Sequence, residues 1–285
     1  MSTTTIPSIR LSQTGAMVMD WARPLYRTGL PHRLIAHLDV GAGQDLRRRC
    51  EAVCPWYGEV ILNRKAFVRG FAEWQLSQAN GPRQVILPGA GATALPLELA
   101  PGHPDRVERT LEIDTALMAE KQHVYGHIAP TLAGRLVCVE ADVTAPDLGD
   151  RLVAGGFYSE DVPAIIILEG LSYYLPREAL VRLLGQFASG CLRNAVLIEH
   201  LLPAEHIAED RRSIPDRVFG IIRARAGLDA PARYGPEDVA DVLRDVGGRV
   251  TAYHTMTEME RDRTGTNTYF PGPADGWIGC TIGRL

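Results

Sequence analysis

The sequence has few cysteines and no long apolar run, and these absences exclude several classes of protein. Its five cysteines are scattered through 285 residues, which is too sparse for a disulfide framework. Cys50 and Cys54 have no second cysteine or histidine pair at zinc-ligand spacing, so the sequence predicts no metal site. We therefore expect reduced thiols in a cytoplasmic protein.

Neither a membrane nor a nucleic acid is indicated as a partner. No stretch approaches the roughly 18 consecutive apolar residues of a membrane span, and no apolar segment follows a basic N-terminus. The net charge of -4 offers no basic surface to nucleic acid or to an anionic membrane. With 46% hydrophobic and 22% charged residues, the composition indicates one large globular domain, or one domain with an elaboration.

Strand-like and helix-like segments alternate after a helical N-terminal region. Residues 12–78 carry apolar side chains at helical spacing, interrupted by prolines and glycines. Apolar strand candidates follow, with helices between them that include 115–125 and 177–189. The strand candidates are 84–87, 109–113, 136–140, 164–168 and 195–199. Their continuous apolar character is typical of parallel strands that are covered on both faces.

The C-terminal third departs from this alternation. Residues 200–233 form a mixed helical insertion, and Pro236–Asp245 has the amphipathic pattern of a helix. The last two strand candidates, 249–254 and 277–282, have no long crossover helix between them, so we expect an antiparallel pair. A dinucleotide dehydrogenase would instead add a second βαβαβ half.

The segment after the first strand has the residues of a nucleoside-binding turn. Gly89, Ala90 and Gly91 are small enough to let a ligand approach the backbone. The third glycine of the dinucleotide fingerprint is absent and no Gly-Lys-Ser/Thr sequence follows, which disfavours NAD and a phosphate loop. Asp114, 25 positions after Gly89, can accept hydrogen bonds from a ribose diol, although capping of the next helix is an alternative role.

Two further carboxylates follow predicted strands. Asp142, after the third strand, can accept a hydrogen bond from an adenine amino group; a helix cap or a surface turn is the alternative. Glu169 ends the most apolar strand, at the sheet edge where open α/β folds bind ligands. A buried structural acid is the alternative there.

Taken in order, these motifs resemble those of the leucine carboxyl methyltransferase family. The family uses S-adenosylmethionine and includes bacterial polyketide carboxyl methyltransferases. The resemblance covers residues 61–174 and, more loosely, the C-terminus. The matching segments are 63–69, 87–93, 112–114 with Lys121, 141–143 and 169–175.

The resemblance implies a Rossmann-like class I methyltransferase fold of the α/β class. In this fold a seven-stranded, mostly parallel sheet has an antiparallel terminal strand, and N-terminal helices form a lid. We accordingly expect a lid region at 1–80 and a cofactor-binding core at 81–285, with a helical insertion at about 200–233.

The resemblance also implies a set of cofactor-binding residues. Arg69 corresponds to the family's arginine that holds the methionine carboxylate, a group that suits a guanidinium fork. The other implied contacts to S-adenosylmethionine are Gly89, Ala90, Gly91, Asp114, Asp142, Val143 and Glu169. This chain departs from the family at Pro88, at Ala92, which replaces an aspartate, and at Gln13, which replaces a lysine or arginine near the N-terminus.

The expected activity is O-methylation of a small molecule in secondary metabolism, with a carboxylate as the favoured acceptor. A carboxylate needs no general base, whereas a hydroxyl acceptor would need one, and His200 follows the fifth strand. A structural role is the alternative for His200, and core packing is the alternative for Tyr173 and Tyr174, which are candidates to line the acceptor pocket.

The arginines of the insertion suit an anionic acceptor or are solvated helix charges; they are Arg211, Arg212, Arg223, Arg225 and Arg233. Two other functions stay open at the level of sequence. One is an NAD-dependent oxidoreductase, and the other is a cofactor-binding protein without transfer activity.

Overall fold

The protein is built around a seven-stranded sheet. The computed structural model describes residues 8–189, 192–226 and 230–285. A short parallel pair, β1 (Ile9–Arg10) and β2 (Leu38–Asp39), lies outside the main sheet. The strands of the main sheet are β3 (Gln84–Pro88), β4 (Arg109–Asp114), β5 (Leu136–Glu140), β6 (Ala164–Leu168), β7 (Ala195–Leu201), β8 (Arg249–Thr255) and β9 (Ile278–Arg284).

Helices precede the sheet and connect its strands. The first four come before β3: α1 (Gln13–Ala22), α2 (Gly29–Ile35), α3 (Gln44–Val53) and α4 (Tyr57–Ser77). The others are α5 (Leu95–Gly102), α6 (Met118–Ile128), α7 (Leu148–Ala154), α8 (Arg177–Gly185), α9 (Ser213–Ala226), α10 (Pro236–Asp245) and α11 (Met256–Thr264).

The strand order β5-β4-β3-β6-β7-β9-β8 confirms the predicted fold class. The strands from β3 to β7 pair in parallel, and β9 lies antiparallel between β7 and β8. The expected antiparallel pair of β8 and β9 is therefore confirmed. The nine-residue helix α11 between them was not predicted. Its capping box, in which the Glu258 carboxylate accepts from the Thr255 amide, is the sequence signal for it.

Hydrophobic side chains cover both faces of the sheet. One core joins the N-terminal helices to residues such as Val85 and Ile165, and the other joins α8 and α10 to Ile166 and Ile198. All five residues of β6 are buried, as predicted from their unbroken apolar run. Because α4 shares a core with the sheet, the division of the chain at residue 80 stays a prediction about organisation rather than an observed boundary.

Several expectations from composition can be compared with this fold. Cys50, Cys54, Cys138 and Cys280 are free thiols, and Cys191 lies outside the described residues. None of the described helices is both long and apolar enough to cross a membrane. Within the same residues, no cluster of three or more potential ligands is arranged to hold a metal ion.

Candidate active site

A cavity of about 610 Å³ opens at the carboxyl ends of β3, β4 and β6. Its volume is in the range of roughly 300–1,000 Å³ that is typical of small-molecule sites. The turn after β3 and Asp114 line one end, while side chains from α1, α4 and α9 line the other. The cavity therefore lies where open α/β folds bind ligands, beneath N-terminal helices and the predicted insertion.

The glycine turn exposes its backbone to this cavity. Gly89 has φ +66°, and a Cβ atom there would approach Leu171 Cδ1 to 2.8 Å, so a larger residue would need neighbouring atoms to move. Gly91 has φ +51° with open space where a Cβ would be. These left-handed conformations favour glycine. The amides of Gly89 and Ala90 both donate to the Ile113 carbonyl, which holds the turn against β4.

Asp114 connects this turn to the start of the next segment. Its Oδ2 accepts a hydrogen bond from the Gly91 amide at 2.8 Å, and its Oδ1 accepts from the Thr115 amide at 2.7 Å. The carboxylate lines the cavity beside the turn. It therefore has the position expected of a ribose ligand, and that contact stays a prediction. Capping of the next helix, the alternative considered for Asp114, is not observed, because Leu117 is the N-cap of α6 and no side chain caps it.

A buried ion pair supports the turn from behind. The ammonium of Lys121 bonds to Glu112 and donates to the carbonyls of Gly91 and Thr93, each at 3.0 Å. Tyr125 donates to the other oxygen of Glu112 at 2.7 Å. Lys121 and Glu112 are fully buried, and neither lines the cavity. This network orders the turn without reaching the ligand space.

Lys65 and Glu169 form a second ion pair, at the cavity wall. The Lys65 ammonium donates to Glu169 Oε1 at 2.7 Å, and both side chains line the cavity. Burial alone would raise the pKa of Glu169, but the charges of Lys65 and Arg64 outweigh it and hold that pKa below its usual value. The pair thus presents one fixed cation and one fixed anion side by side.

Arg64 brings a third charge into the cavity from the same helix. It is 7% exposed, and its Nε lies 2.7 Å from Glu199 Oε1 without the alignment of a hydrogen bond. Burial raises the pKa of Glu199 to about 7, and the nearby guanidinium only partly offsets this. Sequence reasoning assigned no role to Arg64, Lys65 or Glu199; the adjacent basic residues on an otherwise apolar helix face were the available signal.

The structure does not bring Arg69 to the cavity. Its guanidinium pairs with Glu98 on α5 at 3.1 Å, and it is absent from the cavity wall. Arg69 lies one helical turn beyond Lys65, and the acid on α5 holds it there. In this structure Lys65 and Arg64 are the cations that line the site, so the contact of Arg69 with the methionine carboxylate stays a prediction that the pairing with Glu98 does not favour.

Asp142 lies at the exposed rim rather than in the wall. Its Oδ1 accepts from the amide and the hydroxyl of Thr144, each at 2.8 Å, and these bonds lower its pKa. The neighbouring Val143 does line the cavity. Asp142 thus forms the turn that was considered as its alternative, and its contact with adenine stays a prediction.

Tyr173 and Tyr174 both line the cavity, in different ways. Tyr173 is buried and packs edge-on against Phe219 of α9, while Tyr174 is 42% exposed. The hydroxyl of Tyr173 has no hydrogen-bond partner among the described residues. This arrangement supports the pocket-lining role considered for the pair.

His200 is not placed to act as a base. It is fully buried and lies outside the cavity wall, with Nδ1 2.7 Å from the Tyr234 carbonyl and Nε2 3.0 Å from the Thr281 hydroxyl. Burial lowers its pKa to about 4, so the ring is neutral at pH 7. His200 therefore has a structural role and not the role of a general base, because both of its ring nitrogens already have hydrogen-bond partners.

The arginines of the insertion face elsewhere. Arg211 pairs with Asp275, Arg225 with Asp45 and Arg233 with Asp216. None of the five lines the cavity, whereas Phe219 and Ile222 of α9 do. The insertion therefore contributes apolar surface to the site, and of the two alternatives left open for its arginines the structure favours charges that lie outside the cavity.

Comparison with known proteins identifies the group to which this site belongs. The sequence profile of the leucine carboxyl methyltransferase family matches residues 33–188, more than half of the chain. The chain belongs to that family. It is an S-adenosylmethionine-dependent methyltransferase, and this membership removes the oxidoreductase and the non-catalytic alternatives.

Solved structures show the same fold for this methyltransferase. A crystal structure from Thermobifida fusca YX has a TM-score of 0.64 at 20% identity and covers 99% of this chain and 96% of its own. A DUF574 family protein from Streptomyces avermitilis MA-4680 has a TM-score of 0.62 at 15% identity, covering 85% and 90%. Magnesium protoporphyrin IX methyltransferase from Synechocystis PCC 6803, with bound S-adenosylhomocysteine, scores 0.50 at 12% identity, covering 85% and 93%.

Among curated proteins, none matches this chain in sequence. The structural similarities, all below 25% identity, therefore show the fold, and the match to the family profile shows the class of activity.

Proposed function

We propose that this methyltransferase transfers a methyl group to a carboxylate oxygen of a small, largely apolar acid. The observation that carries the proposal is the composition of the cavity. Its wall continues from Asp114 and the glycine turn to an apolar end, where Arg64 is the cation and no histidine lines the described wall. A carboxylate is already ionised at pH 7, so such a site needs a cation to bind the acceptor and no base to activate it.

The residues at the first end fit S-adenosylmethionine. The exposed glycine backbone leaves room for a nucleoside, Asp114 offers oxygens to a ribose diol, and Val143 offers apolar contact to adenine. Lys65 and Glu169 offer opposite charges to the carboxylate and ammonium of the methionine part. When bound, S-adenosylmethionine supplies an electrophilic methyl group on a positively charged sulfur.

The chain itself supplies alignment and exclusion of water. Arg64, Tyr173 and Tyr174 orient the acceptor. Met17, Phe219 and Ile222 give the cavity an apolar wall. Positioning of reactants and removal of water are the main contributions available to a protein in a methyl-transfer reaction of this kind. A hydroxyl acceptor is disfavoured because Asp114 and Glu169, the carboxylates in the wall, are both engaged in hydrogen bonds.

The cation that holds the cofactor can be identified by a pair of substitutions on α4. We expect Lys65→Met to weaken binding of S-adenosylhomocysteine by about tenfold to thirtyfold, because a charge-assisted hydrogen bond is lost. Arg69→Met is expected to leave the affinity nearly unchanged, since Arg69 pairs with Glu98 outside the cavity. Isothermal titration calorimetry measures both, and Lys65→Arg is the charge-preserving control. If Arg69→Met weakened binding of S-adenosylhomocysteine strongly and Lys65→Met did not, Arg69 would be the cation that holds the cofactor.

The chemical nature of the product tests the proposed acceptor. Labelled S-adenosylmethionine is incubated with the protein and a small-molecule extract of the cells that make it. We expect labelled product from which mild base releases volatile labelled methanol, because a methyl ester is hydrolysed under conditions that leave an ether intact. The Asp114→Ala variant serves as the blank. Label that stays in the product after base would contradict a carboxylate acceptor.

A further inference from the structure

Arg64 has hydrogen-bonding capacity that the protein does not use. Its Nε lies 2.7 Å from Glu199 Oε1 without the alignment of a hydrogen bond, and its guanidinium donates no hydrogen bond to any described residue. The side chain lines the cavity, and one of its terminal nitrogens, Nη2, lies 3.3 Å from where a Cβ of Gly170 would be. A guanidinium carries its donors in a planar fork that matches the two oxygens of a carboxylate.

The hydroxyl of Tyr173, near the guanidinium of Arg64, is a second hydrogen-bond donor without a partner in the described part of the chain. This hydroxyl is buried and has no hydrogen-bond partner among the described residues, and the whole residue is only 4% exposed. The guanidinium carbon of Arg64 lies 5.9 Å from the centre of the Tyr173 ring. Buried polar groups in native proteins are normally paired, so an orphan hydroxyl in the wall of a cavity indicates a partner that the protein chain does not provide.

The charges around this pair favour an anion as that partner. Two cations, Arg64 and Lys65, meet two acids here, Glu169 and Glu199. Since burial raises the pKa of Glu199 to about 7, a fraction of the molecules carries one more positive than negative charge at neutral pH. Lys65 and Glu169 satisfy each other, which leaves the excess on Arg64.

We propose that Arg64 and Tyr173 together bind the carboxylate of the methyl acceptor, and that this pair determines the preference for an acid over its amide or alcohol. The inference rests on the proposed function and adds its specificity-determining residues. A terminal nitrogen of Arg64 donates to one carboxylate oxygen, and the Tyr173 hydroxyl donates to the acceptor as well. Tyr57, Phe219 and Ile222, which line the same end, contact the apolar remainder of the acid.

Binding to the cofactor-product complex tests this pair without knowledge of the natural acceptor. The protein is saturated with S-adenosylhomocysteine and titrated with benzoate, phenylacetate, cinnamate and octanoate, each against its primary amide. We expect at least one acid to bind at least about tenfold more tightly than its amide, the size of one charge-assisted hydrogen bond. Acids and amides that bind alike, or not at all, would overturn the inference.

Two variants assign the effect to the pair. Removing Arg64 alone leaves Glu199 buried without a cation, so Arg64→Met is made together with Glu199→Gln to preserve the fold. We expect the double variant to weaken binding of the preferred acid by about thirtyfold and Tyr173→Phe by about tenfold, with the amide affected little. Affinity for S-adenosylhomocysteine should not change in either variant. An equal loss of acid and of S-adenosylhomocysteine would show that Arg64 serves the cofactor instead.

The melting temperature of the ligand-free protein distinguishes a ligand-binding role of the Tyr173 hydroxyl from a structural one. Removal of an unpartnered buried hydroxyl costs nothing in the folded state, so Tyr173→Phe should melt at or above the parent temperature. Tyr158→Phe is the matched control, because the Tyr158 hydroxyl accepts from Asn194 at 3.3 Å and its loss should lower the melting temperature. A lower melting temperature for Tyr173→Phe would overturn its role as a ligand donor.

The two proposals fail in distinguishable ways. If the parent protein does not bind S-adenosylhomocysteine, the proposed function fails at the cofactor. If S-adenosylhomocysteine binds and the acids show no advantage over their amides, the inference about Arg64 and Tyr173 fails by itself.

Discussion

Asp114→Ala is expected to weaken binding of S-adenosylhomocysteine by at least about a hundredfold. Hydrogen bonds to a charged group contribute roughly 1.5–3 kcal/mol each, and two of them would be lost to the ribose diol. The same substitution releases the amides of Gly91 and Thr115, which Asp114 holds at 2.8 and 2.7 Å, so the turn also loses its order. Isothermal titration calorimetry with S-adenosylhomocysteine measures the affinity directly.

One further variant tests the charge of Asp114, and a second serves as a surface control. Asp114→Asn keeps one oxygen acceptor for an amide but loses the negative charge, so an intermediate affinity is expected. Asp150→Ala removes an exposed carboxylate in the first turn of α7 and should leave the affinity unchanged. If Asp114→Ala binds S-adenosylhomocysteine as the parent does, the assignment of Asp114 to the ribose is wrong.

Lys121→Met is expected to lower the free energy of unfolding by about 3–5 kcal/mol, the cost typical of removing one partner from a buried ion pair. Glu112 would remain buried with no cation beside it, held by the Tyr125 hydroxyl and, more weakly, by the Cys138 thiol. The carbonyls of Gly91 and Thr93 would lose the ammonium that now donates to each of them at 3.0 Å. Urea denaturation monitored by circular dichroism measures the change.

A double variant tests the cause of this loss. Glu112→Gln combined with Lys121→Met removes both charges, so much of the stability should return, because the uncompensated buried carboxylate is then absent. Arg177→Met breaks the solvent-exposed pair with Asp245 and should change stability little. If Lys121→Met were as mild as Arg177→Met, the buried pair would have no special part in supporting the turn.

The strands and the nucleoside end of the site could be predicted from the sequence because their signals are local. The apolar run of β6 and the glycines at positions 89 and 91 need no knowledge of distant residues. Asp114 follows from the strand that ends at it, since parallel strands deliver their carboxyl ends to one edge. Family membership, carried by several motifs in order, was accessible in the same way.

The cations of the site could not be predicted because helix geometry permits more than one answer. Lys65 and Arg69 are four residues apart and therefore share one face of α4. Glu98 on α5 draws Arg69 away, while Glu169 at the end of β6 holds Lys65 in the wall. These acids come from parts of the chain that only folding brings beside α4.

The position of His200 illustrates the same limit in a strand. Successive side chains of a strand point to opposite faces of the sheet, so Glu199 and His200 cannot both face α4. Glu199 reaches Arg64, and His200 bonds to Tyr234 and Thr281 on the other side. The sequence by itself determined the fold, the cofactor class and the glycine turn with its acid. Tertiary packing alone decided which charged groups line the cavity, because that choice depends on pairs of residues far apart in the chain.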